Sequence, residues 1–259
     1  MTGKLPRDTD RERARSFWNA RAAAFPRWSE TGSAYGRGVL DSVRRMGVDF
    51  RGKSVLDVGA GSGRYTLEVA REAGRVVAID VSDEMLRLSA QDAARLGVGN
   101  VEYAVSAWED YPEGEAFDFV LCMMSPAARD DRSRERLFSH AREAVVLTGF
   151  SRYSPPPALA EILARRGREP ARFRNGPEMR EFLDRTSRRY EWELREGVWS
   201  VAYTRGSFAR IIADHLDDYG IEPEPGEIEA FADALAPPGG GEFVAEIPYA
   251  VEIIVARAG

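Results

Sequence analysis

The chain has 259 residues, 44% of them hydrophobic, and a formal net charge of −6. This size allows one large domain with an elaboration or two small ones, and the acidic balance argues against general nucleic-acid binding. One cysteine and two histidines are too few for a structural zinc site, and a single cysteine suits a reducing cytoplasm. No apolar run reaches the roughly 18 residues that a membrane span needs.

Residues 1–50 are predicted to be helical. Thr9 and Glu12 have the spacing of a capping box, so the first helix should begin near Asp10, and a second should cover residues 35–46. The N-terminal stretch is charged and contains no apolar signal core, which favours a cytoplasmic protein.

Residues 51–150 alternate between apolar strands and helical patterns. The predicted strands are "SVLDV", "RVVAID", "VEYAV", "FDFVLCMM" and "AVVLTGF". The predicted helices cover residues 64–72, 83–97 with Ser82 as N-cap, and 134–144 with Ser133 as N-cap. Continuous apolar strands separated by helices predict a parallel sheet that is covered on both faces.

Residues 151–240 follow a different pattern, with helical pieces broken by proline and glycine. "YEWELREGVWSVAYT" predicts one or two strands, and "SFARIIADHLDDYG" predicts a helix with Ser207 as N-cap and Gly220 as C-cap. We expect this segment to form a mainly helical cap, inserted after the fifth strand, that contributes to the substrate site. Residues 241–259 are predicted to supply the closing strand of the sheet.

A glycine turn made of Gly59, Gly61 and Gly63 connects the first strand to the helix after it. Such a turn lets the backbone bend sharply and lets a ligand approach where no Cβ stands. Position 64 is arginine where the dinucleotide fingerprint has its third glycine, which disfavours a nicotinamide-dependent dehydrogenase. Asp80 closes the second strand, where a carboxylate can accept hydrogen bonds from two ribose hydroxyls.

Asp57 lies in the first strand, just before the glycine turn. It is an awkward neighbour for a pyrophosphate but suits a ligand with an amino group and a sulfonium. Together, "VLDVGAGSG", "VVAIDVSDEML" and "FDFVLCMM" resemble the class I S-adenosylmethionine-dependent methyltransferases of the small-molecule type, over about residues 35–150. The resemblance implies an α/β fold with a Rossmann-like, doubly wound, seven-stranded sheet that is mostly parallel and has an antiparallel closing strand.

The same resemblance implies the cofactor and its contacts. S-adenosylmethionine would give its methyl group by in-line displacement to a small-molecule acceptor, leaving S-adenosylhomocysteine. Asp57 would orient the methionine amino group, and Asp80 would bind the ribose hydroxyls. Gly59, Ala60 and Gly61 would lie against the methionine and ribose. The other candidate cofactor-binding residues are Gly63, Val81, Met85, Ser106, Ala107, Trp108, Cys122 and Met123.

Ser106 departs from the family pattern, because the family commonly has an aspartate there that binds the adenine amino group. The backbone of Ala107 and the ring of Trp108 are therefore expected to hold the adenine, with Val81 packing on it. The thiol of Cys122 is expected to be inert, since it lies late in a buried strand.

Candidate residues on the acceptor side are fewer. Trp18, Ser125 and Arg152 are the candidate substrate-binding residues, and the helix that carries Trp18 resembles a lid found in some small-molecule methyltransferases. The candidate catalytic bases are Tyr35, His140 and Tyr153, although methyl transfer needs a base only when a proton must leave early.

Other functions stay open at this point. The arginine-rich residues 151–189 support a protein or RNA methyltransferase, and the serine at 106 supports a non-catalytic partner protein that binds S-adenosylmethionine. We expect a monomer or a homodimer, with a small-molecule acceptor and no membrane or nucleic-acid partner.

Overall fold

The computed structural model describes residues 8–25, 27–28, 34–152, 155–169, 174–236 and 241–259. Its strands are β1 (Ser54–Val58), β2 (Arg75–Asp80), β3 (Val101–Val105), β4 (Phe117–Met123), β5 (Ala141–Arg152), β6 (Tyr190–Tyr203) and β7 (Phe243–Arg257). Its helices are α1 (Asp8–Arg21), α2 (Ala34–Arg45), α3 (Thr66–Ala70), α4 (Asp83–Leu96), α5 (Asp131–Ser139), α6 (Pro157–Arg165), α7 (Asn175–Arg185), α8 (Arg205–Asp218) and α9 (Glu227–Leu235). Within the described ranges, no helix is long and apolar enough to cross a membrane.

The seven strands form one sheet in the order β3-β2-β1-β4-β5-β7-β6. The four neighbouring pairs from β3 to β5 are parallel. β7 runs antiparallel to β6, because Phe243 lies by Tyr203 at one end of the pair while Tyr249 lies by Gly197 further along. The predicted Rossmann-like sheet, seven-stranded and mostly parallel with an antiparallel closing strand, is confirmed.

The described chain divides into two compact units. Unit 1 comprises Met1–Gly149, Asn175–Leu194 and Glu252–Gly259, and unit 2 comprises Phe150–Arg174 and Arg195–Val251. These bounds differ from the predicted segments, since residues 175–194 of the expected cap lie in unit 1 and residues 241–251 of the expected closing segment lie in unit 2.

Unit 1 has an apolar cluster on each face of its strands. Along β4, Phe119 joins a cluster that includes Leu40 of α2, and the next residue, Val120, joins the other cluster, which includes Phe182 of α7. This alternation is the period of two that a strand imposes on its side chains. The apolar face of α7 therefore explains why residues 175–185 belong to the core.

Unit 2 has its own core. Residues of α6, α8 and α9 bury apolar side chains there, together with Tyr203 of β6 and Phe243 of β7. The rings of Tyr203, Phe208 and Phe243 pack at centroid distances of 5.4–6.0 Å. The unit also contains an apolar pocket of about 160 Å³ that is partly open to solvent, and its lining includes Ile212 and Val244.

The ends of α4 agree with the sequence-based prediction. The Ser82 hydroxyl accepts a hydrogen bond from the Met85 backbone N–H at 3.1 Å, and Gly97 ends the helix with φ 68°. The predicted caps of α5 and α8 are wrong by one helical turn. Asp130 and Thr204 are the N-caps, and the predicted residues, Ser133 and Ser207, are the reciprocal partners in two capping boxes.

The predicted helix 134–144 is also wrong at its far end, because α5 stops at Ser139 and β5 begins at Ala141. The single strand β6 replaces the expected one or two strands at 190–204. Gly220 follows the C-cap of α8, Tyr219, and takes the left-handed conformation with φ 63°.

Candidate functional site

The glycine turn is fastened to the end of β2. The backbone N–H groups of Gly59 and Ala60 both donate to the Ile79 carbonyl, at 2.9 and 3.0 Å. Gly59, Gly61 and Gly63 have φ values of 72°, 56° and 84°, in a region that residues other than glycine rarely adopt. The turn therefore requires glycine at all three positions, as the sequence pattern indicates.

The three glycines face different surroundings. A Cβ on Gly59 would stand 2.7 Å from Ser125 Cβ, and one on Gly63 would stand 2.8 Å from Ser89 Cβ. Among the described atoms, a Cβ on Gly61 would meet a ring carbon of Phe25, at 3.8 Å, and no other within 4 Å. Gly59 and Gly63 thus make room for protein side chains, whereas none of the described atoms crowds Gly61. The predicted cofactor contact at Gly63 stays a prediction, and on its Cβ side Gly63 packs against α4.

Asp80 joins the glycine turn to the start of α4. Its Oδ2 accepts from the Gly61 N–H at 2.9 Å, and its Oδ1 accepts from the Ser82 N–H at 2.8 Å. Burial raises the pKa of Asp80, and the backbone N–H groups oppose that rise. Each carboxylate oxygen has a second lone pair, so the side chain can still accept hydrogen bonds from a ligand. The Ser106 N–H donates to the Asp80 carbonyl at 2.9 Å, which brings the loop after β3 to the same place.

Asp57 is buried in the centre of the sheet, with 2% of its surface exposed. Its Oδ2 accepts from the Thr66 hydroxyl at 2.6 Å. Burial raises the pKa of Asp57 to about 6, the Thr66 hydrogen bond opposes the rise, and the charge of Asp80 adds to it. The sequence analysis missed Thr66, although its place at the first turn of the helix after the glycines is a usable signal.

The backbone after β4 bends sharply toward the glycine turn. Met124 has φ 55°, an uncommon value for a residue with a side chain, and its N–H donates to the Thr148 carbonyl at 3.0 Å. The next hydroxyl, of Ser125, accepts from the Ala127 N–H at 3.2 Å. Ser125 therefore lies beside Gly59, at the edge of the sheet where β1 and β2 also end. Met123 is buried in the core before this bend.

The N-terminal helix α1 is anchored next to Asp80. The Ser82 hydroxyl donates to Asn19 Oδ1 at 2.6 Å, and Asn19 Nδ2 donates to Asp83 Oδ1 at 2.8 Å. Arg15 Nε donates to the same Asp83 oxygen at 2.9 Å. Nothing in the sequence marked Asn19, because its role depends on how α1 packs against α4.

Trp18 packs against α4 rather than standing alone. It contacts a small cluster of Ala22, Met85 and Leu88, and its ring meets that of Phe25 edge to face at 6.1 Å. Met85 is almost fully buried in this cluster, and its predicted cofactor contact stays a prediction. Phe25, which the sequence analysis did not choose, is the aromatic residue next to Gly61.

Trp108 and His140, two of the predicted site residues, are buried in the core and contact each other there. Trp108 is buried, donates from Nε1 to the Ser133 carbonyl at 3.0 Å and stacks on Tyr111. His140 is fully buried, with its ring nitrogens 3.0 and 3.1 Å from the carbonyls of Arg136 and Pro112. His140 also precedes β5 at the amino ends of the strands, opposite the glycine turn. Burial and these contacts give less support to Trp108 as an adenine wall and to His140 as a catalytic base.

The remaining predicted residues are placed as follows. Val81 and Ala107 are half-buried and flank Asp80 and Ser106 along the chain, and the Ser106 hydroxyl donates to the Ala107 carbonyl at 2.8 Å. Cys122 is buried, and burial raises the pKa of its thiol to about 12.

Three further candidates have less support. Tyr35 is half-buried against the core cluster of α2. Arg152 is exposed at the end of β5, in unit 2. Tyr153 lies outside the described residues.

Residues 55–149 match a family model described as a methyltransferase domain. Nocamycin O-methyltransferase of Saccharothrix syringae is 35% identical over 136 residues, which make up 48% of this chain and 45% of that protein. A ubiquinone biosynthesis O-methyltransferase of Neisseria meningitidis serogroup C is 41% identical over 78 residues, 29% of this chain and 33% of that protein. The chain thus spans less than half the length of these relatives.

Two solved structures are similar over most of the chain. Magnesium protoporphyrin IX methyltransferase from Synechocystis PCC 6803, with bound SAH, matches over 96% of this chain and 99% of that one, with a TM-score of 0.56 and 15% identity. The YcgJ protein from Bacillus subtilis matches over 86% and 98%, with a TM-score of 0.54 and 16% identity. Residues 55–149 therefore resemble a methyltransferase domain in sequence, and the sheet that contains them has the class I methyltransferase fold.

Proposed function

We propose that this protein is an S-adenosylmethionine-dependent methyltransferase that acts on a small-molecule acceptor. The observation that carries the proposal is the hydrogen bond from Gly61 N–H to Asp80 Oδ2, at 2.9 Å. Gly61 itself is not crowded by any of the described atoms. The hydrogen bond brings an uncrowded backbone and a carboxylate to one point at the carboxyl edge of a parallel sheet, where ligands of such folds bind.

The chemistry of these groups fits the cofactor. Asp80 has lone pairs left for the two ribose hydroxyls. Asp57 is a buried carboxylate whose pKa is raised to about 6, and a cationic amino group or sulfonium nearby would stabilise its charged form. Ser106, Val81 and Ala107 stay our proposed neighbours of the adenine. Cys122 and Met123, which are buried, and Trp108 have less support.

The bound cofactor would supply an electrophilic methyl group. The residues of this chain would bind the cofactor, orient the acceptor and exclude water. In-line displacement depends mainly on holding the nucleophile close to the methyl group and aligned with it. Asp80 and the glycine turn would fix the cofactor, and Ser125 would border the acceptor. We assign no general base.

Binding measurements test the cofactor assignment. We expect calorimetric titration to show binding of S-adenosylhomocysteine and none of NAD. The D80N variant should bind S-adenosylhomocysteine at least about tenfold more weakly, because it loses charge-assisted hydrogen bonds. E84Q is the matched control, because it removes an exposed carboxylate in the first turn of α4, a few residues after Asp80. Tight binding of NAD, or equal affinities of D80N and E84Q, would overturn the assignment.

A labelled-methyl assay tests the acceptor. The two similar O-methyltransferases, which are named for ubiquinone biosynthesis and nocamycin, together with the acidic net charge of this chain, support a small molecule. Label from S-adenosylmethionine should enter the metabolite pool of a cell extract. Label found only in protein or only in RNA would show the acceptor class to be wrong, and binding without any transfer would favour the partner-protein alternative.

We also propose that the protein is cytoplasmic and is a monomer or a homodimer. The buried single cysteine, which cannot pair within the chain, supports a reducing compartment. Light scattering on a sizing column would determine the oligomeric state.

A further inference from the structure

A small cavity lies at the carboxyl ends of β4 and β5, within unit 1. Its volume is about 20 Å³, and ten residues line it, among them Ser125, Thr148 and Asn175. A site of roughly 10–15 Å³ holds one water-sized group. The cavity therefore has room for a single oxygen atom of a ligand and none for a ring.

Thr148 brings an unsatisfied hydroxyl to this cavity. Only 5% of Thr148 is exposed, and its Oγ1 has no hydrogen-bond partner among the described protein atoms. The backbone carbonyl of Thr148 is used by Met124, so the hydroxyl is the group left to bind something else. A buried hydroxyl without a partner costs free energy, which requires an explanation.

The charges around the cavity restrict the ligand. None of the ten lining residues is charged. The negative charge of Asp57 acts on Cys122, one of the lining residues, and contributes to raising the pKa of its thiol. An anionic carboxylate would therefore enter against an unfavourable potential. A buried ammonium group would lack a carboxylate partner, because none of the lining residues is acidic, and an unpaired charge is costly to bury.

The position of the cavity connects it to the glycine turn. Ser125 lines the cavity, and the same side chain occupies the space beside Gly59. A ligand atom in the cavity would thus be separated from the glycine turn by one side chain.

We propose that this cavity is a subsite for one neutral oxygen of the methyl acceptor, a hydroxyl or a carbonyl, which hydrogen-bonds to Thr148 Oγ1. Thr148 would then be a specificity-determining residue that selects neutral, oxygen-bearing acceptors over carboxylates and amines. This inference rests on the proposed function, since it assigns the cavity to the acceptor of that reaction.

The test uses phenol, benzoate and benzylamine as probes, titrated by NMR into the full chain saturated with S-adenosylhomocysteine. We expect phenol to bind more tightly than the two charged probes. T148V, which replaces the hydroxyl with a methyl group of similar size, should weaken phenol binding about fivefold to tenfold, whereas T148S should bind like the wild type. T148V should be at least as stable as the wild type, because it removes an unsatisfied hydroxyl.

Three results would overturn the subsite: equal phenol affinity in T148V and wild type, tighter binding of benzoate or benzylamine than of phenol, or equal loss in T148S and T148V. T148A removes the same hydroxyl with a smaller side chain and replaces T148V if that variant does not fold. Affinity for S-adenosylhomocysteine, measured on the same proteins, separates the two proposals. Its absence in the wild type defeats the proposed function, whereas its presence with an unaffected T148V defeats only the subsite.

Discussion

Ser125 Cβ lies 2.7 Å from the point that a Cβ on Gly59 would occupy. This contact brings the carboxyl ends of β1 and β4 against each other, and it explains why the first glycine of the turn cannot carry a side chain. It also means that the glycine turn and the loop after β4 are one packed structure. A substitution in the glycine turn should therefore disturb the packing of the loop after β4, and the reverse should also hold.

The variant G59A is expected to lower the free energy of unfolding by about 2–4 kcal/mol, since it adds a steric clash to the cost of positive φ. G97A is the control, because Gly97 has a similar φ of 68° and nothing near its absent Cβ. It should lose only about 1–2 kcal/mol. In urea denaturation, the double variant G59A/S125G should regain the part of the free energy of unfolding that G59A loses to the steric clash. No recovery would show that Ser125 does not cause the loss.

Asp57 should make the folded state less stable at neutral pH than at mildly acidic pH. Burial raises its folded-state pKa from 3.8 to about 6, so folding takes up a proton between those values and stability falls as pH rises through this window. D57N should therefore stabilise the protein above pH 6, by up to about 3 kcal/mol. Thermal unfolding of both proteins between pH 4 and 8 measures the difference, which should grow up to about pH 6 and then level off.

Asp118 provides a control of opposite sign. The backbone N–H of Ser54 lowers the pKa of Asp118, so this carboxylate adds stability that is lost as pH falls. D118N should be destabilising near neutral pH. A stabilising D118N together with a destabilising D57N would contradict the electrostatic account of both sites.

Binding of S-adenosylhomocysteine should weaken as pH falls below about 6, because Asp57 becomes neutral and no longer attracts the ligand's ammonium group. The loss should not exceed about tenfold per pH unit for this one group. In D57N the slope should be shallower, while E84Q should keep the wild-type slope. A pH-independent affinity in the wild type would remove Asp57 from the cofactor site.

The N19A variant should loosen α1, since it removes the two hydrogen bonds to Ser82 and Asp83. We expect amide hydrogen exchange in α1 to become roughly tenfold faster. R13A, at an exposed position of the same helix, should exchange like the wild type. If N19A also matches the wild type, the Arg15–Asp83 ion pair and the apolar contacts of Trp18 hold the helix without Asn19.

Cys122 should resist alkylation while the protein is folded. Burial raises the pKa of its thiol to about 12, and the thiolate is the reactive form. Iodoacetamide at pH 8 should label Cys122 in denaturant and leave it unlabelled in the native protein, as measured by mass spectrometry. Rapid native labelling would mean that the residue is accessible and ionised.

Local signals in the sequence were sufficient for the sheet and for some of the site. Ser82, Gly97, the glycine turn and Asp80 depend on neighbours close in the chain, and their predicted roles as caps, turn and strand end agree with the structure. Ser133 was placed three residues from the true N-cap because both members of a capping box carry side chains typical of that role.

Other features depend on packing between distant segments. His140 and Trp108 have residue types that suit an active site, yet each is held in the core by contacts with the other and with Tyr111. The place of α7 in unit 1 depends on its apolar face meeting the core, and helical periodicity alone does not say which core a helix joins. Thr148 could not be identified from sequence, because a hydroxyl lacks a partner only when several elements meet around it.

Met124 has a further consequence for how this protein can vary. With φ at 55°, its backbone has a handedness that costs a residue with a side chain about 1–2 kcal/mol, and glycine would avoid that cost. Glycine would also allow the mirror-image bend, and the chain beyond it would then sample several directions. Met124 therefore keeps the loop after β4 in a single direction at a cost in stability, so M124G should relieve that cost and leave the loop with several conformations.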